Sequence, residues 1–385
     1  MIKMAVMGFG VVGSGTVELF YKNRQKIEKS AGSELDIKYI LDIRKFPDSP
    51  FADKIIDNVD LIVNDDEVKV VAETMGGVEP AYTFTKRCLE NGKSVVTSNK
   101  ELVAEKGAEL LELARQKNVN YFFEASVGGA IPIIRPLHRC LAANDITEVY
   151  GILNGTTNFI LTRMFEDGMA FEDALALAQK LGYAEKDPTA DVEGHDACRK
   201  ICILASLVFG KHVYPKYVSA KGISSISKED VEAAAALGCQ IKLIGCVKRL
   251  EDGKIIPFVS PMLVPDSNPI SSVSDVFNAV TVISDGADRS MFYGRGAGKL
   301  PTASAVVADM IEAAKHDRTV FSQHWEDSEN GDFIADFDAY ECKMMVRSNG
   351  GVQVLERAVI AEHNETVEAM KADGAEIYSA IPVLE

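Results

Sequence analysis

The first thirteen residues restrict this chain to few architectures. Residues 1–7 (MIKMAVM) are a short apolar run suited to a buried strand, Gly8-Phe9-Gly10-Val11-Val12-Gly13 comes at once after it, and a helical pattern begins near Gly15. Strand, G-x-G-x-x-G and helix, in that order, are the parts of a dinucleotide-binding turn. Gly8 permits the tight turn, Gly10 lets backbone approach a pyrophosphate, and Gly13 lets the helix pack close to the strand. N–H groups at the helix start then face the phosphate. A ligand-free glycine turn would share the motif, but its place directly after an N-terminal strand weighs against that reading.

The residues beyond this loop alternate in the same way. Strand patterns at 37–41, 94–97 and 121–124, and a strand with a flanking element within 60–63 and 68–72, are interleaved with helical patterns at 81–90 and 101–117. That alternation gives a parallel sheet with crossovers. From residue 146 the character changes to a strand at 147–152, helices at 156–166, 171–181 and 191–209, and alternating patterns at 241–248, 255–259 and 279–284. These predict an α+β region whose sheet is mostly antiparallel. A second glycine cluster, Gly294-Arg295-Gly296-Ala297-Gly298, precedes a helix at 302–315 expected to return to the first domain. An acidic stretch at 326–331 then sets off a tail reading strand, strand, helix, strand at 341–346, 352–360, 365–372 and 376–381. The expected class is α/β: a Rossmann-type doubly wound sheet over 1–135, completed by about 293–320, an α+β domain over 136–292, and a small ββαβ unit over 336–385.

A net charge of −16 makes nucleic acid and anionic membrane surfaces poor partners, so any anionic ligand has to be met by a local device such as the glycine loop. The seven cysteines are scattered without a C-x-x-C pair, which argues against a disulfide framework and a zinc site and for core thiols. With no signal-peptide pattern and no stretch of transmembrane length, a cytoplasmic setting is expected.

In a parallel sheet, ligands bind beyond the carboxyl ends of the strands. Three loops fall there: Glu73 to Gly77, Thr97-Ser98-Asn99-Lys100, and Glu124 to Gly129. Lys100 opens a helix, where a lone lysine is ordinarily a solvated surface group, but a cation there is disfavoured by the dipole, which points to an anionic neighbour. A second cluster runs from Tyr183 to Lys200. Asp196 and Lys200 are four apart and share a helix face, ordinarily a solvated ion pair of small worth. Ile201, Ile203, Leu204 and Leu207 make that helix mostly apolar, which predicts burial of the pair. A desolvated lysine beside a second cation gives up its proton more readily. Asp191, Glu193 and His195 are an alternative metal set, but alternate residues do not align on a helix. The remaining histidines, at 138, 212, 316, 324 and 363, are expected to be solvated or capped.

With these residues in place, the chain resembles homoserine dehydrogenases over roughly residues 1–315. The resemblance rests on the glycine loop, Thr97 to Lys100, Glu124 to Pro132, Asn154-Gly155-Thr156-Thr157-Asn158, Gly182 to Lys200, and Gly296-Ala297-Gly298 leading to Pro301-Thr302-Ala303-Ser304-Ala305. It implies reversible NAD- or NADP-dependent oxidation of L-homoserine to L-aspartate 4-semialdehyde, on the route to threonine, methionine and isoleucine. It also implies a homodimer or homotetramer, with the second domain catalytic and dimerising. Gly8, Phe9, Gly10, Val11, Val12 and Gly13 would hold the pyrophosphate, and Thr74, Ser98, Lys100, Gly182, Gly296 and Gly298 would complete the cofactor site. Asn154, Gly155 and Thr156 would border substrate, Glu185 would take its ammonium as a buried carboxylate, and Asp196 would add a polar contact. Lys200 matches the proton-transfer lysine, with Lys100 as a second cation. Glu124, Val127, Gly129 and Ile131 match a sodium site made mostly of backbone oxygen, for which a plain glycine turn is the alternative.

Two departures stand out. Asp42-Ile43-Arg44-Lys45 after the second strand pairs an acid suited to the ribose of NAD with bases suited to the 2′-phosphate of NADP, which family habit favours. The tail is a short remnant of an ACT-type regulatory domain, lacking its first helix, expected to serve packing or assembly rather than threonine sensing. Two other readings remain: a dehydrogenase of another small amino or hydroxy aldehyde, and a nicotinamide-sensing protein without turnover.

Overall fold

The computed structural model describes residues 1–317, 319–321, 324–328 and 330–385. It divides into two compact units, one of Met1–Ala142, Ser206–Val213 and Ala297–Glu329, the other of Ala143–Ala205, Tyr214–Gly296 and Asn330–Glu385.

The first unit is built on six parallel strands: β1 (Ile2–Met7), β2 (Leu35–Leu41), β3 (Ile55–Ile56), β4 (Val68–Glu73), β5 (Ser94–Thr97) and β6 (Tyr121–Phe122). Their order is β3-β2-β1-β4-β5-β6, so successive crossovers run away from β1 in opposite directions. The carboxyl ends of β1 and β4 therefore flank the switch point where such sheets take ligands. Met4, Ala5, Val6 and Met7 of β1 are fully buried, as a strand covered on both faces requires. Helix Lys299–Lys315, distant in sequence, contributes Val306, Val307, Met310 and Ala313 to the cluster that contains Met4, Val6 and Ile37. Burying each large aliphatic side chain there is worth about 1.5–3 kcal/mol.

The second unit carries β7 (Ile146–Ile152), β8 (Ser219–Ala220), β9 (Cys239–Arg249), β10 (Ile255–Pro265), β11 (Phe277–Ser284) and β12 (Asp288–Arg295) in the order β12-β11-β7-β9-β10-β8. Every pairing is antiparallel except β10 with β8. The tail adds β13 (Glu341–Ser348), β14 (Gly351–Val359), helix Ile360–Ala372 and β15 (Ile377–Pro382), in an antiparallel sheet of order β14-β13-β15. Tyr340, Cys342, Met344, Val346 and Leu384 of the tail share one buried cluster with Tyr150, Ile244, Phe258 and Met262. Asp230, buried in the capping box of helix Lys228–Ala236, also accepts from Arg347 Nε at 2.7 Å and from the Ser379 hydroxyl. The tail is thus part of the second unit's core.

Several boundaries differ from expectation for identifiable reasons. The first helix begins at Val11, directly on Gly10, rather than near Gly15, and it is followed by a second, so that Val11–Lys22 and Arg24–Ala31 are parted at Asn23. The segment 191–209 is also two helices, Thr189–Val192 and His195–Phe209, because Gly194 takes a left-handed φ of 80°. Asp60–Val63 is a helical turn, and β6 ends at Phe122 because Glu124 enters a short 3₁₀ turn. Helix Lys228–Ala236 and strand β12, which runs into the second glycine cluster, had no sequence expectation; position 329 of the acidic stretch lies outside the described residues.

Candidate functional site

At the end of the first sheet the construction is largely main chain. Gly8 N–H donates to the Leu41 carbonyl at 2.8 Å, and the Thr74 hydroxyl reaches the carbonyls of Met7 and Gly8 at 3.0 and 2.9 Å. A Cβ at Gly13 would stand 1.8 Å from the Gly8 oxygen, so only glycine lets the helix approach the turn. Asp42, at the end of β2, turns inward: its carboxylate accepts from Phe9 N–H at 2.8 Å and from the Arg44 guanidinium at 2.8 and 2.9 Å. The Arg44 hydrogen bonds hold its pKa down at about 2. Arg44 itself is 59% exposed in its side chain and lies over the Phe46 ring. Beside it opens a cleft of about 490 Å³ lined by Asp42, Arg44, Lys45, Phe46 and Ile55. Asn99 caps helix Lys100–Gln116 by accepting from Leu102 N–H at 3.1 Å, which places Lys100 at the first helical position beside Ser98.

In the second unit the construction is side chain on side chain. Lys200 and Asp196 are only 7% and 3% exposed, so this is not the solvated pair that their spacing ordinarily gives. Lys200 Nζ donates to Asp196 Oδ2 at 2.6 Å and to the Leu153 carbonyl at 2.7 Å. Asn154 Nδ2 donates to the same Asp196 oxygen at 2.8 Å and to Asp191 Oδ1 at 2.7 Å. Its Oδ1 meanwhile caps helix Gly155–Asp167, accepting from Thr157 N–H at 2.8 Å. Gly155 is forced by crowding, since a Cβ there would stand 2.7 Å from the Val276 carbonyl oxygen. The Thr156 hydroxyl donates to the Tyr183 carbonyl at 2.7 Å. Glu185, expected as a buried carboxylate, is instead exposed, on the surface loop beyond Gly182. Gly296 sits against the Asn278 side chain in the second unit, whereas Gly298 belongs to the first and precedes helix Lys299–Lys315.

The turn from Glu124 to Ile131 is closed by Ile131 N–H onto the Gly128 carbonyl at 2.8 Å. The buried Glu124 carboxylate accepts from the N–H groups of Ile133, Ile134 and Arg135 at 2.7, 2.9 and 2.9 Å. Arg135 bonds to Asp309, which also accepts from Glu124 N–H at 2.8 Å. The Glu124 carboxylate is thus spent on main-chain N–H groups of the segment that follows the turn. A cleft of about 170 Å³ adjoins it, lined by Glu124, Gly129, Ile131, Arg135 and Ser304.

Sequence reading missed Asp191 as a partner of Asn154 and Glu73 as a buried anchor; both contacts join segments far apart in sequence. It also placed His212 and His363 in solvent or at caps, whereas both are buried, with Nε2 2.8 Å from the carbonyls of Ala104 and Cys342. Six of the seven cysteines are buried, as core thiols should be, and Cys140 is exposed. Among the described residues no cluster of His, Cys, Asp or Glu could hold a metal ion, and no helix is long and apolar enough to cross a membrane.

Comparison with known proteins matches both units. The family model for the homoserine dehydrogenase NAD binding domain covers residues 8–124, and that for homoserine dehydrogenase covers 132–311. The homoserine dehydrogenase of Lactococcus lactis is 41% identical over 322 residues, 82% of this chain and 75% of the relative. That of Mycobacterium leprae is 44% identical over 320 residues, 82% and 73% of the two chains. Among solved structures, a homoserine dehydrogenase from Thiobacillus denitrificans aligns with a TM-score of 0.91 at 33% identity, covering 100% of this chain and 98% of that one. A hyperthermophilic archaeal homoserine dehydrogenase in complex with NADPH aligns with a TM-score of 0.67 at 28% identity, covering 81% and 97%.

Proposed function

The chain belongs to the homoserine dehydrogenase family and has its NAD(P)-dependent activity, and we propose that the glycine turn of the first unit and the side-chain network of the second carry the reaction. The substrates are L-homoserine and L-aspartate 4-semialdehyde, in amino-acid biosynthesis. The observation that carries the residue assignment is the buried network of Lys200, Asp196, Asn154 and Asp191. A nicotinamide cofactor held by the glycine turn would supply the hydride chemistry at the reacting carbon. In the reducing direction negative charge gathers on the aldehyde oxygen, where the Lys200 ammonium stabilises it and delivers a proton. In the oxidising direction the same nitrogen receives the alcohol proton. Asp196 compensates the buried charge and, with the Leu153 carbonyl, holds the lysine in one rotamer. Asn154, Gly155, Thr156 and Glu185 border the substrate, with Glu185 taking its ammonium from the exposed loop, and Lys100 is the second cation of the reaction.

The residues Gly8 to Gly13 with Thr74, Ser98, Gly182, Gly296 and Gly298 are assigned to the cofactor. NADP is the favoured form, because the Asp42 carboxylate is turned inward and already ion-paired while Arg44 and Lys45 are exposed beside it. Main-chain oxygens of Glu124, Val127, Gly129 and Ile131 are assigned to a sodium ion, supported by the engaged Glu124 carboxylate. The chain is assigned a homo-oligomeric state, supported by Met291 and Tyr293, apolar and 41% and 55% exposed on edge strand β12. Absorbance of the reduced nicotinamide, followed with L-homoserine and each oxidised cofactor, tests this reading. Turnover with a higher kcat/KM for NADP is expected; turnover of another alcohol but not homoserine would overturn it.

A further inference from the structure

Glu73, the last residue of β4, is completely buried, and a carboxylate in that position is costly unless it is paired with charge or put to use. The groups facing it are the Met75 amide, the Thr97 hydroxyl, the Asn99 side chain and, from β6, the Tyr121 phenol. Burial raises its pKa to about 7. Its Oε1 accepts from Met75 N–H at 2.7 Å and its Oε2 from the Thr97 hydroxyl at 2.5 Å. The chain of contacts continues from there. Thr97 Oγ1 accepts from Asn99 N–H at 2.9 Å, and Asn99 uses both ends of its side chain, Nδ2 donating to the Gly77 carbonyl at 2.7 Å and Oδ1 accepting from Leu102 N–H. One carboxylate thereby ties the loop after β4 to the loop after β5 and to the first turn of helix Lys100–Gln116. All of these contacts lie within the first unit.

We propose that Glu73 is a positioning residue for the dehydrogenase reaction, acting through Thr97 and Asn99 to fix the start of helix Lys100–Gln116 and with it the Lys100 ammonium. The inference rests on the reading that Lys100 takes part in the reaction. A group misplaced by about 1 Å costs up to about 10²-fold in rate, so the anchor is felt in turnover. The carboxylate is not replaceable by an apolar side chain of its size, which would fill the space but leave the Thr97 hydroxyl and Met75 N–H without their partner.

The test is a set of variants of the full chain assayed with L-homoserine and NADP. Thr97→Val and Glu73→Ala should each lower kcat roughly tenfold while KM for homoserine stays within about twofold. Glu73→Gln, which keeps a carbonyl for Met75 and can still bond to Thr97, should restore kcat to within about twofold of wild type. Added to Lys100→Ala, neither Thr97→Val nor Glu73→Ala should lower kcat further, since residues acting through one group are not additive. Should Glu73→Ala fail to fold, Thr97→Val and its double variant decide the matter alone. Losses that multiply with that of Lys100→Ala would overturn the inference and leave the reading of Lys100 standing. A Lys100→Ala enzyme with wild-type kcat would overturn both.

Discussion

The candidate sites of the two units are made of different material. At the carboxyl end of the first sheet, main chain does the holding: a turn that only glycine can make, carbonyls tied by Thr74, and N–H groups aimed from a helix start. In the second unit four side chains from three segments are locked together, with Asn154 at the centre bonding to Asp191 and Asp196 while Lys200 bonds to Asp196. A main-chain site tolerates changes of side chain but not an added Cβ. A side-chain network tolerates small shifts of backbone but not the loss of a member. The difference matches the roles proposed for them, since a pyrophosphate needs a fixed cradle of donors, whereas proton transfer needs one titrating nitrogen held in place.

The comparison breaks most visibly at Lys200. Lys200→Ala should lower kcat by about 10²- to 10⁴-fold while cofactor affinity, measured by fluorescence titration of the reduced nicotinamide, stays near wild type. A parallel loss of both would mean that the network is structural. Gly13→Ala should do the reverse. Its Cβ would collide with the Gly8 oxygen, so cofactor affinity should fall by at least roughly tenfold, with a lower Tm from the forced backbone shift. Next in size is Asp191→Ala, which leaves the Asn154 amide nitrogen bonded to Asp196 alone; KM for homoserine should rise by about tenfold, read from initial rates, with little change in cofactor KM. Arg44→Ala sharpens the contrast within the cofactor end, lowering kcat/KM for NADP by about tenfold and leaving that for NAD nearly unchanged.

The smallest effect concerns stability. Glu73 has a folded pKa near 7 against an ordinary value of 4.5, so between these values the folded state holds more protons than the unfolded one. The contribution of Glu73 to stability therefore falls as pH rises from about 4.5 to 7 and stays reduced above it. Glu73→Gln lacks this term, and its Tm advantage over wild type should widen across that window in thermal melts. A constant offset would show that the group does not titrate there.

The same contrast between main-chain and side-chain sites explains which residues the sequence reveals and which it hides. Gly8, Gly10 and Gly13 were legible because a main-chain site leaves its mark as glycine spacing within six residues. Asp196 and Lys200 were half legible: helical spacing put them on one face, and the apolar neighbours foretold burial, but the contacts with Leu153 and Asn154 span 47 and 42 positions. Glu185 misled because a carboxylate carries no local sign of its exposure. Asp191 reads in the sequence only as a metal candidate that its spacing argues against, because nothing local to it points to Asn154, 37 positions away. Strand β12 was hidden because its alternating exposure ran into a glycine cluster that looked like a loop. The tail's strands were visible, whereas its fusion to the second unit through Asp230 and the cluster around Phe258 was not.

By itself the sequence determined the local chemistry: which stretches alternate as strand and helix, where only glycine can turn, and which charged pairs share a helix face. Those are consequences of sterics and periodicity within a few residues. Tertiary structure alone decided which polar groups leave water and what they meet there, putting Glu73 and the Lys200 network inside while leaving Glu185 outside. Burial depends on every segment that packs over a residue, and a buried charge is settled only by partners the fold brings from elsewhere in the chain.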